Sequence, residues 1–230
     1  MKPKTRTVKS PDQRRSELLA TAQQLFFTKG YSATSVSDIT KSMNVAKGTF
    51  YYYFDSKMEL LEALVDDFTE QAMAVMSPIV EDETLKAAVK WQAVFHTGAA
   101  WKTEHRDELL VVLRAMNSPG NVLLWHKRRA RALETTAPMI GRIIQQGITE
   151  GVFSTEYVEE SAEIALAIMQ SVNDIFTDLV LHPEKYDDRL SIARRKLGAI
   201  QDAVERVIGA TPDSLPIVDE LILQAWFGNA

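Results

Sequence analysis

Residues 44–54 run Asn-Val-Ala-Lys-Gly-Thr-Phe-Tyr-Tyr-Tyr-Phe. This stretch joins an ammonium donor, a residue without a side chain and a cluster of hydroxyls. Successive residues on a helix are about 100° apart, so Tyr51, Tyr52 and Tyr53 cannot all face a core. A small domain seldom exposes such rings without a use. Lys47, Gly48, Thr49, Tyr51, Tyr52 and Tyr53 supply the donors and slender side chains that suit a helix entering the major groove of DNA, about 12 Å wide. Their hydroxyls and ring edges could reach phosphates and bases. Catalytic chemistry is thin by comparison. His96, His105, His126 and His182 have no pair at the i, i+4 spacing of a helical zinc site, and there is no Cys. Neither G-x-G-x-x-G, G-x-x-x-x-G-K-[ST] nor G-x-S-x-G occurs. No enzyme activity, metal or cofactor is expected.

The elements that must position these residues are marked by local punctuation. Ser10-Pro11-Asp12-Gln13 places an N-cap Ser, a Pro at the first helical position and a Gln three residues after the cap, the start of helix 1. Leu18, Leu19, Ala22, Leu25 and Phe26 form its apolar stripe, and Gly30 ends it. Val36, Ile39, Thr40 and Met43 mark a short second helix after the cap candidates Ser32 to Ser35. A three-residue turn, Asn44 to Ala46, leads to the third. Ser56 with Glu59 opens a fourth helix running towards Met76 and closed by Pro78. Amphipathic segments follow at about 84–103, 105–117, 121–150, 156–181, 187–208 and 214–227, with Pro138 expected to kink or divide the third of these.

Composition agrees with an all-α chain. Only 10 Gly and 8 Pro occur in 230 residues, 46% of them apolar. No aliphatic run approaches the ~18 residues of a membrane span and the basic start lacks an apolar h-region, so a cytoplasmic protein without a membrane partner is expected. The net charge of −5 hides an asymmetry: residues 1–57 hold ten Lys/Arg against four Asp/Glu, and the rest holds sixteen against twenty-seven. One end is thus suited to a polyanion and the other is not.

Three short helices with this spacing have the proportions of a helix-turn-helix. The chain here resembles the tetracycline-repressor (TetR) family of bacterial transcription regulators. The resemblance rests on Ala22-Gln23-Gln24-Leu25-Phe26, Gly30-Tyr31, Thr34 to Ile39, Asn44 to Phe54 and Ser56 to Leu61. It departs from the family where Asn44 replaces the usual turn Gly and where Tyr53 replaces a common polar ring such as His. The resemblance implies a helix-turn-helix DNA-binding domain over 1–57, with a basic arm over 1–10, and a larger helical effector-binding and dimerisation domain over 58–230. It implies that Lys47 and Tyr51 face base edges, that Gly48 lets the helix approach, and that Thr49, Tyr52, Tyr53 and Lys57 hold phosphates. Ser35 and Ser37 would add hydroxyl or backbone N–H contacts, with Phe26, Ile39, Val45, Phe50 and Phe54 as the core. Arg6, Lys9, Arg14 and Arg15 either touch the DNA backbone or form a plain solvated arm.

The resemblance also implies a homodimer on a pseudo-palindromic double-stranded DNA operator, released by a small-molecule effector. Two apolar stripes could form a four-helix interface or face the protomer's own core. One is Ala165, Ile168, Met169, Val172, Ile175, Phe176 and Leu179; the other is Ile192, Leu197, Ile200, Val204, Val207 and Ile208. Trp91, Phe95, Trp101, Met116, Trp125 and Phe176 could line an effector cavity, with His96, Arg114, Gln170 or Asn173 as polar orienting groups, although aromatics at helical spacing also serve as ordinary core. Rival readings are a ligand-independent architectural or accessory DNA-binding protein, and a carrier or enzyme with a relic helix-turn-helix.

Overall fold

A computed structural model describes residues 10–171 and 173–228, and the side chains of Val122, Asn173 and Asp174 are outside that description. Arg6, Lys9 and Val172 lie outside the described residues. Within them every regular element is helical. The chain divides into two compact units, one comprising Met1–Phe68 and Asp107–Val122, the other Thr69–Arg106 and Leu123–Ala230. The division falls within a helix, at 68/69, eleven residues beyond the 57/58 boundary suggested by the sequence, and the first unit also takes in 107–122.

The first unit opens with α1, Pro11–Lys29. Its capping box forms as the sequence specifies: Gln13 N donates to Ser10 Oγ at 3.2 Å and Ser10 N to Gln13 Oε1 at 3.1 Å. Leu18, Leu19, Ala22 and Phe26 are buried along one face, and Gly30, with φ 82°, ends the helix. α2, Val36–Ser42, and α3, Lys47–Tyr53, are one-to-two-turn helices. Between them Asn44 adopts φ 52°, the left-handed conformation that Asn enters more readily than most residues. Ile39, Phe50 and Phe54 are buried with the α1 stripe, while Val45 is only half-buried. α4, Lys57–Glu81, begins in this unit with Leu60, Leu61 and Leu64 buried, and α6 is Arg106–Met116.

Pro78 does not close α4, which continues to Glu81. Proline removes one N–H and frees the carbonyl four residues back. The cost is tolerable in a last turn where Val80 is buried in the second unit's core and Ser77 Oγ donates to Met73 O. α7, Val122–Thr149, is likewise undivided at Pro138, because Ala137, Met139 and Ile140 on either side are held in that core.

The second unit packs the end of α4, α5 (Ala87–Glu104), α7, α8 (Val158–Ser171) and α10 (Arg189–Ile208) around Trp91, Ile140, Ile143, Ile144, Ala165, Ile200 and Val204. The helix expected over 156–181 is described as α8 and α9, Asn173–Leu181, and a 3-10 turn follows at Pro183–Lys185. A smaller cluster joins Leu179 of α9, Ala193 of α10 and Leu223 and Phe227 of α11, Glu220–Phe227. Residues 158–181 are long and apolar enough to cross a membrane by length and composition alone. Ala162, Ala165, Leu166 and Leu179 within them are instead buried in these two clusters.

The stripes on α8 and α10 face one another inside the protomer: Ala165, Ile200, Val204 and Ile208 share one core. The connection to α11 is pinned by Glu205, 3% exposed, whose carboxylate accepts from the backbone N–H groups of Asp213 and Leu215, each at 2.8 Å.

Candidate nucleic-acid interface

α3 is anchored from one side and open on the other. Phe50 and Phe54 are buried with ring centroids 5.8 Å apart, and the ring of Tyr51 meets Phe50 edge-on at 5.4 Å. Tyr51 is nevertheless 53% exposed and Tyr52 76% exposed. Lys47 is exposed at the first helical position and makes no hydrogen bond or ion pair among the described residues. A Cβ built on Gly48 would meet nothing within 4 Å, so the fold itself does not demand glycine there. Thr49 and Tyr53 are half-buried, and the Tyr53 ring packs edge-on against Tyr52 at 4.9 Å. Lys47, Gly48, Tyr51 and Tyr52 form the exposed face, with a cation at its start and phenols along it.

Two candidates, Ser35 and Lys57, are engaged within the protein. Ser35 caps α2: its Oγ accepts from Asp38 N at 3.1 Å and donates to Asp38 Oδ2 at 2.7 Å. The Ser35 hydroxyl and backbone N–H hold the Asp38 carboxyl down at about 2, with Lys29, 3.4 Å away, adding a smaller pull. Ser37 is half-buried in the first turn of the same helix.

Lys57, read from the resemblance as a phosphate contact, has a different occupation. Its Nζ donates to the carbonyls of Tyr31 and Thr34, both at 2.7 Å, and lies 4.1 Å from the centre of the Tyr31 ring. Desolvation lowers its ammonium below the usual lysine range. Two of its three donors are thus spent on the α1–α2 connection, and it serves as a clip from the start of α4. Burial raises the Tyr31 phenol, and the nearby Asn121 side chain opposes that rise. Asn121 itself is buried and donates to Ala115 O at 2.7 Å. Sequence reasoning had no signal for this Lys57–Tyr31–Asn121 grouping, since its successive members are 26 and 90 residues apart. Arg14 pairs with Glu17 at 2.9 Å, and the Arg15 guanidinium lies 5.2 Å over the Phe54 ring.

The effector candidates are not gathered into one lining. Trp91, fully buried, packs against Phe95 and Phe153 in the main core of the second unit, and its indole Nε1 has no hydrogen-bond partner among the described residues. Phe176 belongs to the other cluster, stacked on Phe227 at 5.5 Å. Trp101 is buried and stacks on His105 at 4.2 Å; Trp125 is half-buried beneath Arg128, whose Cζ is 5.8 Å from its ring. Met116 is buried on α6, but Arg114 on that helix is exposed, because the inward stripe runs through Val111, Val112, Leu113, Ala115 and Met116. Arg114 is therefore no buried orienting group. His96 is on the surface, 2.6 Å from Asp219; Gln170 is half-buried, and the Asn173 side chain lies outside the description. Among the described residues no three His, Asp or Glu side chains converge as a metal site.

Two family models match the chain, one described as bacterial regulatory proteins of the tetR family over residues 18–64, the other as the tetracyclin repressor-like C-terminal domain over 111–190. The HTH-type transcriptional regulator EthR of Mycolicibacterium smegmatis is 39% identical over 72 residues, 31% of this chain and 33% of that protein. The fatty acid metabolism regulator protein of Bacillus subtilis is 24% identical over 174 residues, 74% of this chain and 86% of that one. In three curated relatives, EthR among them, the matched stretch spans only 27%, 33% and 38% of the relative's length. A structure titled as the SmeT–triclosan complex superposes with a TM-score of 0.61 at 17% identity, covering 88% of this chain and 94% of that one, a likeness of fold. With both its helix-turn-helix segment and its C-terminal segment matched, the chain belongs to the TetR family of bacterial regulatory proteins.

Proposed function

We propose that this protein is a dimeric, sequence-specific DNA-binding transcription regulator of the cytoplasm, a repressor that leaves its operator when a small molecule occupies the second unit. The observation that carries the reading is the outward face of α3, where Lys47, Gly48, Tyr51 and Tyr52 are exposed while Phe50 and Phe54 hold the helix from behind. In this reading Lys47 donates to guanine O6 or N7, Tyr51 touches a thymine methyl or a base edge, and Thr49, Tyr52 and Tyr53 contact phosphates. Gly48 admits the duplex close to the helix axis. Ser35 contributes through its backbone position, its hydroxyl being used in capping, and Ser37 through its hydroxyl.

Two-fold symmetry would set the recognition helices about one DNA turn apart, ~34 to 36 Å. Since the α8 and α10 stripes are occupied within the protomer, the dimer uses outward faces, of which α8 offers Ile164, 49% exposed. The ligand acts by preferring the conformation in which the recognition helices are wrongly spaced, and only that difference in affinity can release DNA. α4 is continuous through the point where the units divide and is the proposed lever.

Selection of randomised duplexes by the purified protein, followed by a salt titration of the winners, tests this. A pseudo-palindrome with half-sites about 10 bp apart or a multiple is expected. No enrichment at low salt would sink the reading, and enrichment that no small molecule reverses would leave an architectural DNA-binding protein.

A further inference from the structure

Among the described residues, the indole Nε1 of Trp91 is the buried side-chain polar atom left without a hydrogen-bond partner. The ring is fully buried in the second unit's main core. Trp226, by contrast, donates from its Nε1 to Thr103 Oγ1 at 2.7 Å. An indole nitrogen is a donor only, so neither a tautomer nor a flipped side chain can remove the deficit. Native interiors hold few such groups, and Phe at this position would fill the core without stranding a donor. A water is a poor partner here. The side chains clustered around the ring are hydrocarbon or thioether, whereas a buried water needs roughly two to four polar partners.

The neighbours of the indole divide into fixed and adaptable groups. Phe153 meets it edge-on with ring centres 6.5 Å apart, and lies so close to α7 that a Cβ at Gly147 would collide with its ring. Phe95, one turn along α5 and 4.9 Å from Trp91, is only partly buried. Gly98 continues the same stripe of α5 and faces Met76 of α4, whose Sδ would lie 2.8 Å from a Cβ there. Met76 and Met73, one turn before it, are also only partly buried against this core. Methionine side chains re-pack at small cost, so this side of the indole can yield to a guest while Phe153 holds its place.

We infer that the Trp91 Nε1–H is the hydrogen-bond donor of the effector site, and that the effector is an uncharged, mainly apolar molecule presenting one acceptor, such as a ketone or ester oxygen. The inference rests on the effector reading proposed above. A carbonyl oxygen satisfies the stranded donor, and the remainder of the molecule replaces hydrocarbon contacts. An acid would instead bring a charge among apolar side chains, where Lys90, the residue before Trp91, directs its ammonium at Val80 O, 2.7 Å away. Met76 and Val80 both belong to α4, so a guest beside Trp91 presses on the proposed lever itself.

The test compares molecules of similar shape with and without the acceptor: acetophenone, 2-heptanone and benzophenone against ethylbenzene, heptane and diphenylmethane, with benzoate and heptanoate as charged counterparts. Binding to the full-length protein is read by calorimetry and by the indole 1H–15N resonances of protein labelled at tryptophan, and release by affinity for the selected duplex. The Trp91 resonance is identified by its loss in Trp91→Phe or, should that variant not fold, by elimination with Trp101→Phe, Trp125→Phe and Trp226→Phe. At least one ketone should bind about tenfold or more tightly than its hydrocarbon and move the Trp91 indole proton downfield, and Trp91→Phe should bind the two alike. Equal binding of ketone and hydrocarbon, no binding of any ketone, a Trp91 resonance that no ketone moves, or tighter binding of the acids would each overturn the assignment. If a probe releases the duplex without moving that resonance, the effector reading stands without this site. If a ketone binds at Trp91 and duplex affinity is unchanged, the site stands and the effector reading falls.

Discussion

Lys57 Nζ lies 2.7 Å from the carbonyl oxygens of both Tyr31 and Thr34 and 4.1 Å from the centre of the Tyr31 ring. The start of α4 is thereby tied to the loop that leads into α2, and the charge is directed at main-chain carbonyls. Lys57→Met should lower stability by about 1–3 kcal/mol, the cost of losing charge-assisted bonds and leaving acceptors unpaired. It should weaken every duplex alike while leaving the slope of log affinity against log salt unchanged. A phosphate contact would lower that slope by nearly one unit. A slope that falls with unchanged thermal stability would return Lys57 to the DNA interface.

Lys47 has the opposite profile, exposed and without a partner among the described residues. Lys47→Ala should leave the thermal midpoint within error of the parent. It should cost about 1–3 kcal/mol at one base-pair position, relaxing specificity there. Repeating the duplex selection with the variant checks this; an unchanged consensus would remove Lys47 from base readout.

Gly48 separates folding from binding. Nothing within 4 Å would meet a Cβ at this position. Alanine is a better helix former than glycine by roughly 1 kcal/mol, so Gly48→Ala should raise the denaturation midpoint. In the proposed complex the added methyl stands between α3 and the duplex, and affinity should fall about tenfold or more. A variant that is more stable and binds DNA as well as the parent would show that the duplex does not come close here.

The elements around α3 were legible because their signals are local. Ser10 and Gln13 form their capping box within four residues, and Asn44 takes the left-handed conformation that its replacement of a turn glycine required. Where the sequence misled, tertiary packing decided. Pro78 and Pro138 interrupt one hydrogen bond each but sit among residues that the core holds in helix. Arg114, one of the possible polar orienting groups, follows five apolar residues yet falls on the outer face of α6. Lys57, Tyr31 and Asn121 are distant in sequence, and no periodicity relates them.

Glu205 is a structural counterpart to these functional positions. Its buried carboxylate accepts from two backbone N–H groups and from Gln201 Nε2 at 3.0 Å, fixing the turn in which Asp213 has φ 60°. Glu205→Ala would strand two buried donors, and each unsatisfied donor costs about 1–3 kcal/mol. A loss of about 2–5 kcal/mol is expected in chemical denaturation, with duplex selection unaltered in the folded fraction. A loss below about 1 kcal/mol would mean that water replaces the carboxylate.

The desolvated Lys102 also leaves a signature in the dependence of stability on pH. Its ammonium titrates at about 8 in the folded protein against 10.5 for an ordinary lysine. Between those values the unfolded chain binds the proton and the folded protein does not, so Lys102 makes stability rise with pH across this window. Below about pH 8 both states carry the proton and the full cost of the confined charge is present. Lys102→Met should therefore gain stability over the parent near pH 7, and that gain should shrink as pH climbs towards 10.5. Tyr31 and Tyr186, both raised in the folded protein, work the other way near the upper end of the range. They do so in parent and variant alike, so the difference between the two proteins isolates Lys102. A pH-independent difference in denaturation free energy would show that this ammonium is ordinarily hydrated.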